Sequence, residues 1–356
     1  MSRKKRKKKN RVRKRRTGLL IFIGLLLVGG LLLGLGGYLY LYTPSMKPKQ
    51  QPQLLYLHTD TQLDSLIPIL EEAGLQNPGR FRTLAGLMHL EKAKAGRYAL
   101  KPGLHNRALI RMLRAGLQEP VRLSFISHRT LDEWAQTVAP RFRFSKAELQ
   151  AALKDPRLLD SLGANPQTLP AYFIPDTYQL YWTTSAKNLV LRMKKEYDRY
   201  WTPQRQAQAE ALGLTPIEVM TLASIVQAET NRNSEKARVA GVYLNRLRKG
   251  MRLEADPTVK FALGDFVLKR ILKRHIEATE DNPYNTYRHT GLPPGPINLP
   301  EKSSIEAVLG AEQHAYYYFC ASAQKVGYHT FSRTLAEHNQ AARAYHAWLN
   351  DQRIFE

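Results

Sequence analysis

Hydrophobic residues are concentrated in one uninterrupted run near the start of the chain. Residues 18–42, GLLIFIGLLLVGGLLLGLGGYLYLY, include no Asp, Glu, Lys or Arg. At about 1.5 Å per residue such a helix is roughly 37 Å long, which exceeds the ~30 Å hydrocarbon core of a bilayer. Tyrosines gather at the end of the run, where amphipathic rings favour the membrane interface. The pattern therefore predicts a single transmembrane helix over residues 18–42.

Shorter alternating segments follow a polar, proline-bearing spacer over residues 43–52. Their hydrophobic periods predict a strand, two helices and a second strand, which together form a compact βααβ unit. A helix that ends at Gly116 and one more strand complete this region, which we bound at residues 53–125. The segments are LLYLHT, DTQLDSLIPILEEAGL, NPGRFRTLAGLMHLEKA, AGRYALKPG, HNRALIRMLRAG and EPVRLSFI.

Residues 126–350 have the pattern of a larger mixed domain. TLDEWAQTVAPRF and SKAELQAALKD have helical periods, and Ser145 with Glu148 forms a capping box in the second. The proline-bearing stretch 165–182 predicts an ordered loop and strand, and SAKNLVLRMKKEYDRYW predicts an amphipathic helix. The whole chain is therefore expected to be α+β, with one transmembrane helix, a small subdomain and a larger mixed α+β domain.

The segment GLTPIEVMTLASIVQAET predicts a helix with a clearly marked start. Thr215 is the expected N-cap, Pro216 occupies the first helical position, and Glu218 completes a capping box. Hydrophobic residues then recur at helical spacing down one face, and Glu229 falls in phase with that face. The next segment, SEKARVAGVYLNRLRKG, predicts a further helix that ends at Gly250.

A carboxylate on a buried face costs several kcal/mol unless it is paired or protonated. Two ordinary explanations for Glu229 are that it emerges into water at the helix end, or that it pairs with Arg232 or Arg238. The third is that it is a general acid. A carboxyl group in apolar surroundings has a raised pKa, keeps its proton near neutral pH and can donate it to a leaving oxygen. Periodicity alone leaves these explanations open.

Basic residues outnumber acidic ones, with 54 Lys and Arg against 30 Asp and Glu and a net charge of +24. Residues 2–16 hold 12 of the basic residues and no acid, so the rest of the chain carries +24 less 12, or +12. Because this basic tail, residues 1–17, directly precedes the transmembrane helix, the positive-inside rule places the tail in the cytoplasm and the remainder outside. A cleaved signal peptide is the competing interpretation, but the run is too long and no small-residue cleavage site follows it. The short tail is expected to contact anionic lipid, and we expect no nucleic-acid partner.

Two loop-rich stretches, residues 282–300 and 327–339, are dense in Tyr, Asn, Thr, Pro and Gly. These residues supply rigid loops, stacking rings and neutral hydrogen-bonding groups, which suit a carbohydrate better than a phosphate or a metal. The sequence has neither a glycine-rich phosphate loop nor a nucleophile elbow. Cys320 is the single cysteine, so it has no partner for an internal disulfide, and we expect it to be a small buried residue. We expect no metal and no cofactor.

Four stretches together resemble the endolytic murein transglycosylases of the MltG, or YceG-like, family. They are LASIVQAE, VAGVYLNRLRKGMRLEADPTV, NPYNTYRHTGLPPGPI and HTFSRTLAEHN. AGRYALKPG and LIRMLRAG resemble the family's LysM-like region, and YFIPDTYQLYW resembles the start of its catalytic domain. The resemblance implies a LysM-like subdomain over 53–125 and a catalytic domain over 126–350.

The same resemblance implies a cell-wall enzyme of the inner membrane whose catalytic domain is extracytoplasmic, or periplasmic. Members of the family cut peptidoglycan strands internally, at the MurNAc–GlcNAc β-1,4 bond. They do so without water, because the C6 hydroxyl of the sugar attacks the anomeric carbon, and they leave 1,6-anhydro-MurNAc ends. One carboxyl group is then sufficient as acid and afterwards as base.

The family's catalytic glutamate falls on Glu229. Many members have another glutamate at the position of Gln227, so Glu229 is the single candidate within this motif. Glu254 occupies a position where relatives often have glutamine, and Asp256 is expected to cap a turn. The residues expected to bind substrate are Asn245, Glu254, Asp256, Tyr284, Asn285, Thr286, Tyr287 and His329.

Two other functions remain open at this point. A hydrolytic muramidase would use Glu229 together with Glu254 or Asp256, because an ordinary glycosidase needs a second carboxylate. A non-catalytic peptidoglycan-binding anchor would recruit other proteins through its LysM-like region. The expected partners are peptidoglycan strands and, through the N-terminal helix, membrane lipid, with wall synthases as candidate protein partners.

Overall fold

The computed structural model describes residues 2–47, 53–268 and 270–351. The last five residues of the predicted spacer, 48–52, lie outside the described residues. The chain divides into a smaller unit, Met1–Pro120 with Tyr181–Thr183, and a larger unit, Val121–Leu180 with Thr184–Glu356. Each unit combines helices with short antiparallel strand pairs, which confirms the predicted mixed α+β class.

The N-terminal apolar run forms a helix, as predicted. Helix α1 extends over Ser2–Tyr42, and no part of its apolar window, Gly18–Tyr42, is buried inside the protein. Among the described residues this one helix is long and apolar enough by itself to cross a membrane. A bent pair, Pro203–Ala211 with Pro216–Glu229, also has sufficient length and apolar character, but the second helix of that pair lies in the core of the larger unit.

The smaller unit contains the expected order of a strand, two helices and a strand. Its elements after α1 are β1 Gln53–Leu57, β2 Thr61–Gln62, α2 Leu63–Glu72, α3 Pro78–Leu87, β3 Lys92–Ala93, β4 Gly96–Leu100 and α4 Asn106–Ala115. β1 pairs antiparallel with β4, and the two-residue strands β2 and β3, which the hydrophobic pattern did not predict, form a second pair. Leucines from α2, α3 and α4 pack with Phe81 and Tyr98 into a buried core. Gly116 ends α4 in the left-handed region at φ 69°, which glycine adopts without strain.

The larger unit is mostly helical. Its strands are β5 Val121–Ser124, β6 Thr177–Leu180, β7 Tyr318–Ala321 and β8 His329–Ser332. Its helices are α5 Leu131–Val138, α6 Lys146–Lys154, α7 Pro156–Ser161, α8 Ala186–Tyr200, α9 Pro203–Ala211, α10 Pro216–Glu229, α11 Asn233–Arg248, α12 Asp256–Leu263, α13 Lys273–Glu277, α14 Lys302–Leu309 and α15 Leu335–Asp351, with 3₁₀ turns at Ala139–Arg141 and Leu169–Tyr172. The capping box of Ser145 and Glu148 is present at the start of α6, as predicted.

Strand β5 belongs to the larger unit because it pairs antiparallel with β6, Val121 opposite Leu180. The sequence had placed the end of the small subdomain after residue 125, beyond this strand. A hydrophobic alternation identifies a strand but carries no information about its pairing partner 50 or more residues away. The hairpin of β7 and β8, with Tyr318 opposite Ser332, was also not predicted, nor were α7, α9 and α12 to α15.

The middle of helix α10 is buried on all sides. The prediction that its hydrophobic residues form a single stripe along one face is therefore wrong. Every residue from Val219 to Val226 is buried. Thr221 and Ser224 fit into this core because their hydroxyls donate to backbone carbonyls of the preceding turn. α11 and α14 both pack against α10. A helix that is apolar all round is typical of the centre of a large domain, and its end is fixed by its neighbours.

Candidate active site

Glu229 is the last residue of α10, and both ends of that helix are well defined. At the start, Glu218 Oε2 accepts the Thr215 N–H at 2.7 Å, and Thr215 Oγ1 accepts the Glu218 N–H at 3.3 Å. This is the predicted capping box, with Pro216 at the first helical position. At the other end Thr230 is already in extended backbone. The chain therefore leaves the helix immediately after Glu229.

The Glu229 carboxylate is held by one tyrosine from the neighbouring helix. The Tyr243 O–H on α11 donates to Glu229 Oε1 at 2.6 Å. Tyr243 is itself buried, and the ring of Phe319 on β7 meets it edge-on at a centroid distance of 5.8 Å. Because two packed elements fix the phenol, they also fix the carboxyl group to which it donates.

The pKa of the Glu229 carboxyl is raised from 4.5 to about 7. Burial is the largest cause and the negative charge of Asp256 also raises it, whereas the Tyr243 hydrogen bond and the charge of Lys260 lower it. Burial and the nearby carboxylate raise the pKa of Tyr243 well above its ordinary value, so the phenol keeps its proton and remains a donor. Near neutral pH a large fraction of Glu229 is therefore protonated.

Neither arginine considered as a partner of Glu229 forms an ion pair with it. Arg238 pairs with Glu312 at 3.0 Å. Arg232 lies over the ring of Tyr328, and its Nε donates to the Gly327 carbonyl at 3.4 Å. Glu229 is partly exposed, and it lines two cavities. The explanation through an arginine pair is thus excluded for these two residues.

The first cavity has a volume of about 450 Å³, and three acidic residues line it. Glu229, Glu254 and Asp256 line it, together with Tyr287 and His329, so five of the residues singled out from the sequence meet here. Its wall also includes Tyr317, Tyr318 and Phe319, which belong to β7 or precede it. The mixture of rings and polar groups is typical of a small-molecule site.

The second cavity has a volume of about 410 Å³ and adjoins the first at Glu229. Ala321 and His329 also line both cavities. Residues of the loop after α10 form one wall of it, and Tyr345 and Trp348 of α15 lie in its lining as well. Glu229 consequently lies where the two cavities meet, with space for a ligand on either side.

The two other carboxylates of the first cavity have their own partners. Glu254 Oε2 accepts from Arg246 Nη1 at 3.1 Å, and its backbone has φ 53°, in the left-handed region. Asp256 begins α12, and its Oδ1 accepts the Tyr287 O–H at 2.6 Å. Burial and the charge of Asp256 raise the pKa of Tyr287 well above its ordinary range, so Tyr287 remains a donor. Asp256 thus faces the cavity as a carboxylate held by a tyrosine, as Glu229 is.

His329 is oriented by a buried glutamate. Glu235 near the start of α11 is 5% exposed, and its two oxygens accept from the backbone N–H and Nδ1 of His329, at 2.9 and 3.1 Å. This pairing fixes the imidazole at the junction of the two cavities. The motif HTFSRTLAEHN therefore supplies three residues of the first cavity, His329, Leu335 and His338. The helix that follows Glu229 supplies Glu235, which orients His329.

Four residues expected to bind substrate lie outside both cavity linings. Asn245 donates from its amide to the carbonyls of His314 and Tyr316, at 2.8 and 3.1 Å. Tyr284, Asn285 and Thr286 are buried. The side chains of Asn285 and Thr286 bond inside the loop 279–287 or with residues 255–258, and the Tyr284 backbone N–H donates to Asn282 Oδ1. Tyr284, Asn285 and Thr286 build the loop that carries Tyr287, whereas Asn245 lies on α11. The predicted contact of these four residues with substrate stays a prediction.

Several residues of the site were not identified from the sequence. Tyr243 is the most important of them, and its only signal was its place on the helix after Glu229. Gln227 lines neither cavity, because its side chain bonds to Ser127, to the backbone N–H of Glu301 and to Ser304. The expectation that Cys320 is buried is wrong: it is partly exposed in the wall of the first cavity.

The Glu229 carboxyl can hold a proton and donate it to a ligand inside the cavity. A carboxyl with a pKa of about 7 is suited to general acid–base catalysis near neutral pH. Within the described residues, no three His, Cys, Asp or Glu side chains gather closely enough to hold a metal ion. The Glu229 carboxyl can transfer a proton to and from a ligand that lies across it.

The chain is similar to several known proteins. The family model described as the YceG-like family matches residues 55–344. A relative from Bacillus subtilis named endolytic murein transglycosylase is 30% identical over 275 residues, which are 73% of this chain and 75% of that protein. A relative of the same name from Streptococcus pneumoniae (strain D39) is 29% identical, and the match covers 90% of this chain and 64% of that protein. This chain thus spans less than two thirds of the pneumococcal relative.

A solved structure has a related fold. It is a yceG-like protein from Listeria monocytogenes, with a TM-score of 0.54 and 29% sequence identity. The match covers 82% of this chain and 98% of that chain.

Proposed function

Because the chain belongs to the YceG-like family, we propose that it is a membrane-anchored, endolytic lytic transglycosylase of peptidoglycan in which Glu229 is both acid and base. The family match covers most of the chain and confirms the resemblance drawn from the motifs. The shared name of the relatives identifies the chain as a peptidoglycan transglycosylase, a carbon–oxygen lyase. The residue, the bond and the location are our proposal.

The first step is protonation of the leaving oxygen. Glu229, protonated in its sheltered position, donates to the glycosidic oxygen between MurNAc and GlcNAc as the bond from that oxygen to C1 of MurNAc breaks. Positive charge develops on the MurNAc ring, and the negative charge of the acidic residues that line the first cavity, Glu254 and Asp256, would favour it. Tyr243 keeps its hydrogen bond to Glu229 Oε1 and stabilises the carboxylate that has just formed.

The second step closes the anhydro ring. The C6 hydroxyl oxygen of the same MurNAc attacks C1, and its proton passes to the Glu229 carboxylate. The net change transfers the C6 proton to the GlcNAc O4 by way of Glu229, consumes no water and restores the protonated enzyme. A group with a pKa of about 7 can serve in both directions because it gains and loses its proton with similar ease near neutral pH.

The single observation that carries the proposal is the environment of Glu229. Its carboxyl has a raised pKa and one tyrosine donor, pairs with no arginine of the described residues, and lies where two cavities meet. The two cavities suit an internal cut, since a strand that is cleaved away from its ends needs space on both sides of the acid. Tyr287 and His329 are then the groups we assign to strand contact, with Glu254 and Asp256 as further lining residues.

We also propose the location and the accessory region inferred from the sequence. The apolar helix Gly18–Tyr42 would anchor the chain in the cytoplasmic membrane, with the basic tail inside and residues after 43 outside. Residues 53–125 would act as a LysM-like module, and residues 126–350 as the catalytic domain. Both are consistent with a substrate that lies next to the membrane.

A hydrolytic muramidase is the second candidate, and one observation favours it. Asp256 lines the same cavity as Glu229, and its charge helps to raise the pKa of Glu229. A second carboxylate at this position could activate water. Its hydrogen bond from Tyr287 holds the side chain in place, which also suits a purely electrostatic role.

The test uses the full chain in detergent and isolated peptidoglycan. Mass spectrometry of the soluble products should find strands that end in 1,6-anhydro-MurNAc with the wild-type protein and none with Glu229→Gln. Glu218→Gln, the same substitution at the other end of α10, is the matched control and should give the wild-type products. Anhydro ends from Glu229→Gln at the wild-type rate would refute the assignment.

A further inference from the structure

The second cavity contains an aromatic pair that the catalytic steps do not use. Tyr345 and Trp348 lie one helical turn apart on α15, so they share a face of that helix. Their ring centroids are 5.8 Å apart with an interplanar angle of 20°, which is a stacked arrangement. Both residues line the second cavity, and neither lines the first.

These rings are not core residues. Tyr345 and Trp348 are each partly exposed, whereas the structural tryptophans of the chain, Trp134, Trp182 and Trp201, are all at most 6% exposed. A large aromatic side chain gains most when its whole surface is covered, so two that stay open in the wall of a cavity leave apolar area available to a ligand. Among the described residues, no side chain or backbone group accepts a hydrogen bond from the Trp348 indole N–H.

The location of the pair relative to the reaction is fixed by shared lining residues. Glu229 and His329 belong to both cavities, so a strand that crosses Glu229 from the first cavity continues into the second. The flat faces of pyranose rings carry C–H groups that stack on aromatic rings, and their hydroxyls accept hydrogen bonds from an indole N–H. The family match ends at residue 344, one residue before the pair begins.

We propose that Tyr345 and Trp348 form a sugar-stacking subsite that holds the glycan strand on the side of Glu229 remote from Glu254 and Asp256. This inference rests on the proposed function, since it takes a peptidoglycan strand as the ligand. The subsite binds and positions the strand without touching the reacting bond. It thereby favours long strands that cover both cavities over short ones that reach only the first.

Strand binding is measured first, and independently of cleavage. The full chain in detergent carries Glu229→Gln, and the probe is glycan strands whose stem peptides have been removed by an amidase. Adding Trp348→Ala or Tyr345→Ala should weaken binding about ten-fold, as is usual for a truncated aromatic anchor. Trp348→Phe should restore most of the affinity. Gln340→Ala, an exposed position of α15 outside both cavities, should bind like the parent.

Turnover of the same strands is measured next, with Glu229 present. Trp348→Ala should raise KM about ten-fold while kcat changes little, because the ring acts in binding rather than in proton transfer. The discrimination between long and short strands should shrink in the same variant. Circular dichroism and thermal melting establish that each variant is folded.

Tryptophan fluorescence gives a measurement that does not depend on an alanine variant folding. Addition of strands to the Glu229→Gln chain should change the emission, and Trp348→Phe should remove most of that change while the strands still bind. An unchanged emission response in Trp348→Phe, or parental affinity and KM in folded Trp348→Ala, would overturn the inference. If wild-type protein makes no anhydro ends but strand binding still depends on Trp348, the proposed function fails and the binding subsite stands.

Discussion

The two ends of α10 each carry a glutamate, and the two side chains have opposite surroundings. Glu218 at the start accepts hydrogen bonds from the backbone N–H and the hydroxyl of Thr215, at 2.7 and 2.8 Å. Glu229 at the end has one tyrosine donor and the walls of two cavities. Glu218 stabilises the helix, because the free N–H groups near a helix N-terminus interact favourably with an anion. The glutamate at the other end is available to a ligand.

This difference shows that the environment, and not the residue type, determines what a carboxyl group does. The C-terminal end of a helix exposes carbonyl oxygens and disfavours a negative charge. Burial acts in the same direction and raises the pKa of Glu229 to about 7. The middle of the helix, from Val219 to Val226, is buried, so the capped start and the packed middle hold the acid in one place. Five tests of this contrast are given below, from the largest expected effect to the smallest.

Removing the acid should have the largest effect. Glu229→Gln is expected to lower kcat for strand cleavage by at least about 10²-fold, because general acid–base catalysis supplies that much or more. The fold should persist, since glutamine can still accept from Tyr243. Cleavage is followed as new anhydro ends per unit time, and a loss of less than ten-fold would separate Glu229 from the chemistry.

The same substitution should also change how stability depends on pH. The folded pKa of Glu229 lies above its unfolded value of 4.5, so the folded state binds more protons and stability falls as pH rises from about 4.5 to about 7. Glu229→Gln removes this contribution. Thermal midpoints measured across that window should decrease less with pH in the variant than in the wild type, and parallel curves would contradict the raised pKa.

Removing the donor to Glu229 should shift the pH profile upwards. Turnover requires protonated Glu229, so wild-type kcat/KM should fall as pH rises through about 7. The Tyr243 hydrogen bond lowers this pKa, so Tyr243→Phe should move the falling limb up by about one pH unit. A limb that stays in place, in a variant with unchanged circular dichroism, would show that the phenol does not tune the acid.

Removing the negative charge of Asp256 should shift the falling limb of the kcat/KM profile to lower pH, and by less than the Tyr243→Phe shift. Asp256 raises the pKa of Glu229 through its negative charge. Asp256→Asn should therefore move the falling limb to lower pH, while anhydro products continue to form. A complete loss of products at every pH would instead give Asp256 a direct part in the reaction, as the muramidase alternative requires.

Changing the capping end should have the smallest effect on the reaction. Thr215→Ala removes the N-cap and is expected to cost about 1 kcal/mol of stability, with kcat/KM almost unchanged at temperatures well below melting. Chemical denaturation measures the first quantity and initial rates the second. A loss of activity larger than the loss of folded protein would mean that the start of α10 also controls the position of Glu229.

The sequence was sufficient to predict local features, but it did not predict which side chains contact each other across the fold. The membrane-length helix, the capping boxes at Ser145 and Thr215 and the ends of α4 and α10 follow from residues within a few positions of each other. The motifs that carry the nine site residues are also short, and they identify these residues without showing which of them meet. These features depend on local sequence, which a single chain displays in full.

Long-range geometry was what the sequence could not supply. Whether Glu229 paired with Arg238 depended on Glu312, which takes that arginine from more than 70 residues away. Asn245 and Thr286 have the same chemical character as Tyr287, yet they face the protein instead of the cavity. The roles of Tyr243 and of the rings on α15 can be recognised only from the folded structure, in which α11, β7 and α15 lie together. Packing determines which polar side chains remain free for a ligand.

The most direct test of the central claim is cleavage of peptidoglycan strands by the full chain in water enriched in ¹⁸O, with mass analysis of the new ends. Because one carboxyl group passes a proton between two sugar oxygens, we predict anhydro ends that contain no ¹⁸O and are lighter by one water than hydrolysed ends. New reducing ends that carry ¹⁸O would show that water is the nucleophile, and they would contradict the account of Glu229 as the sole acid and base.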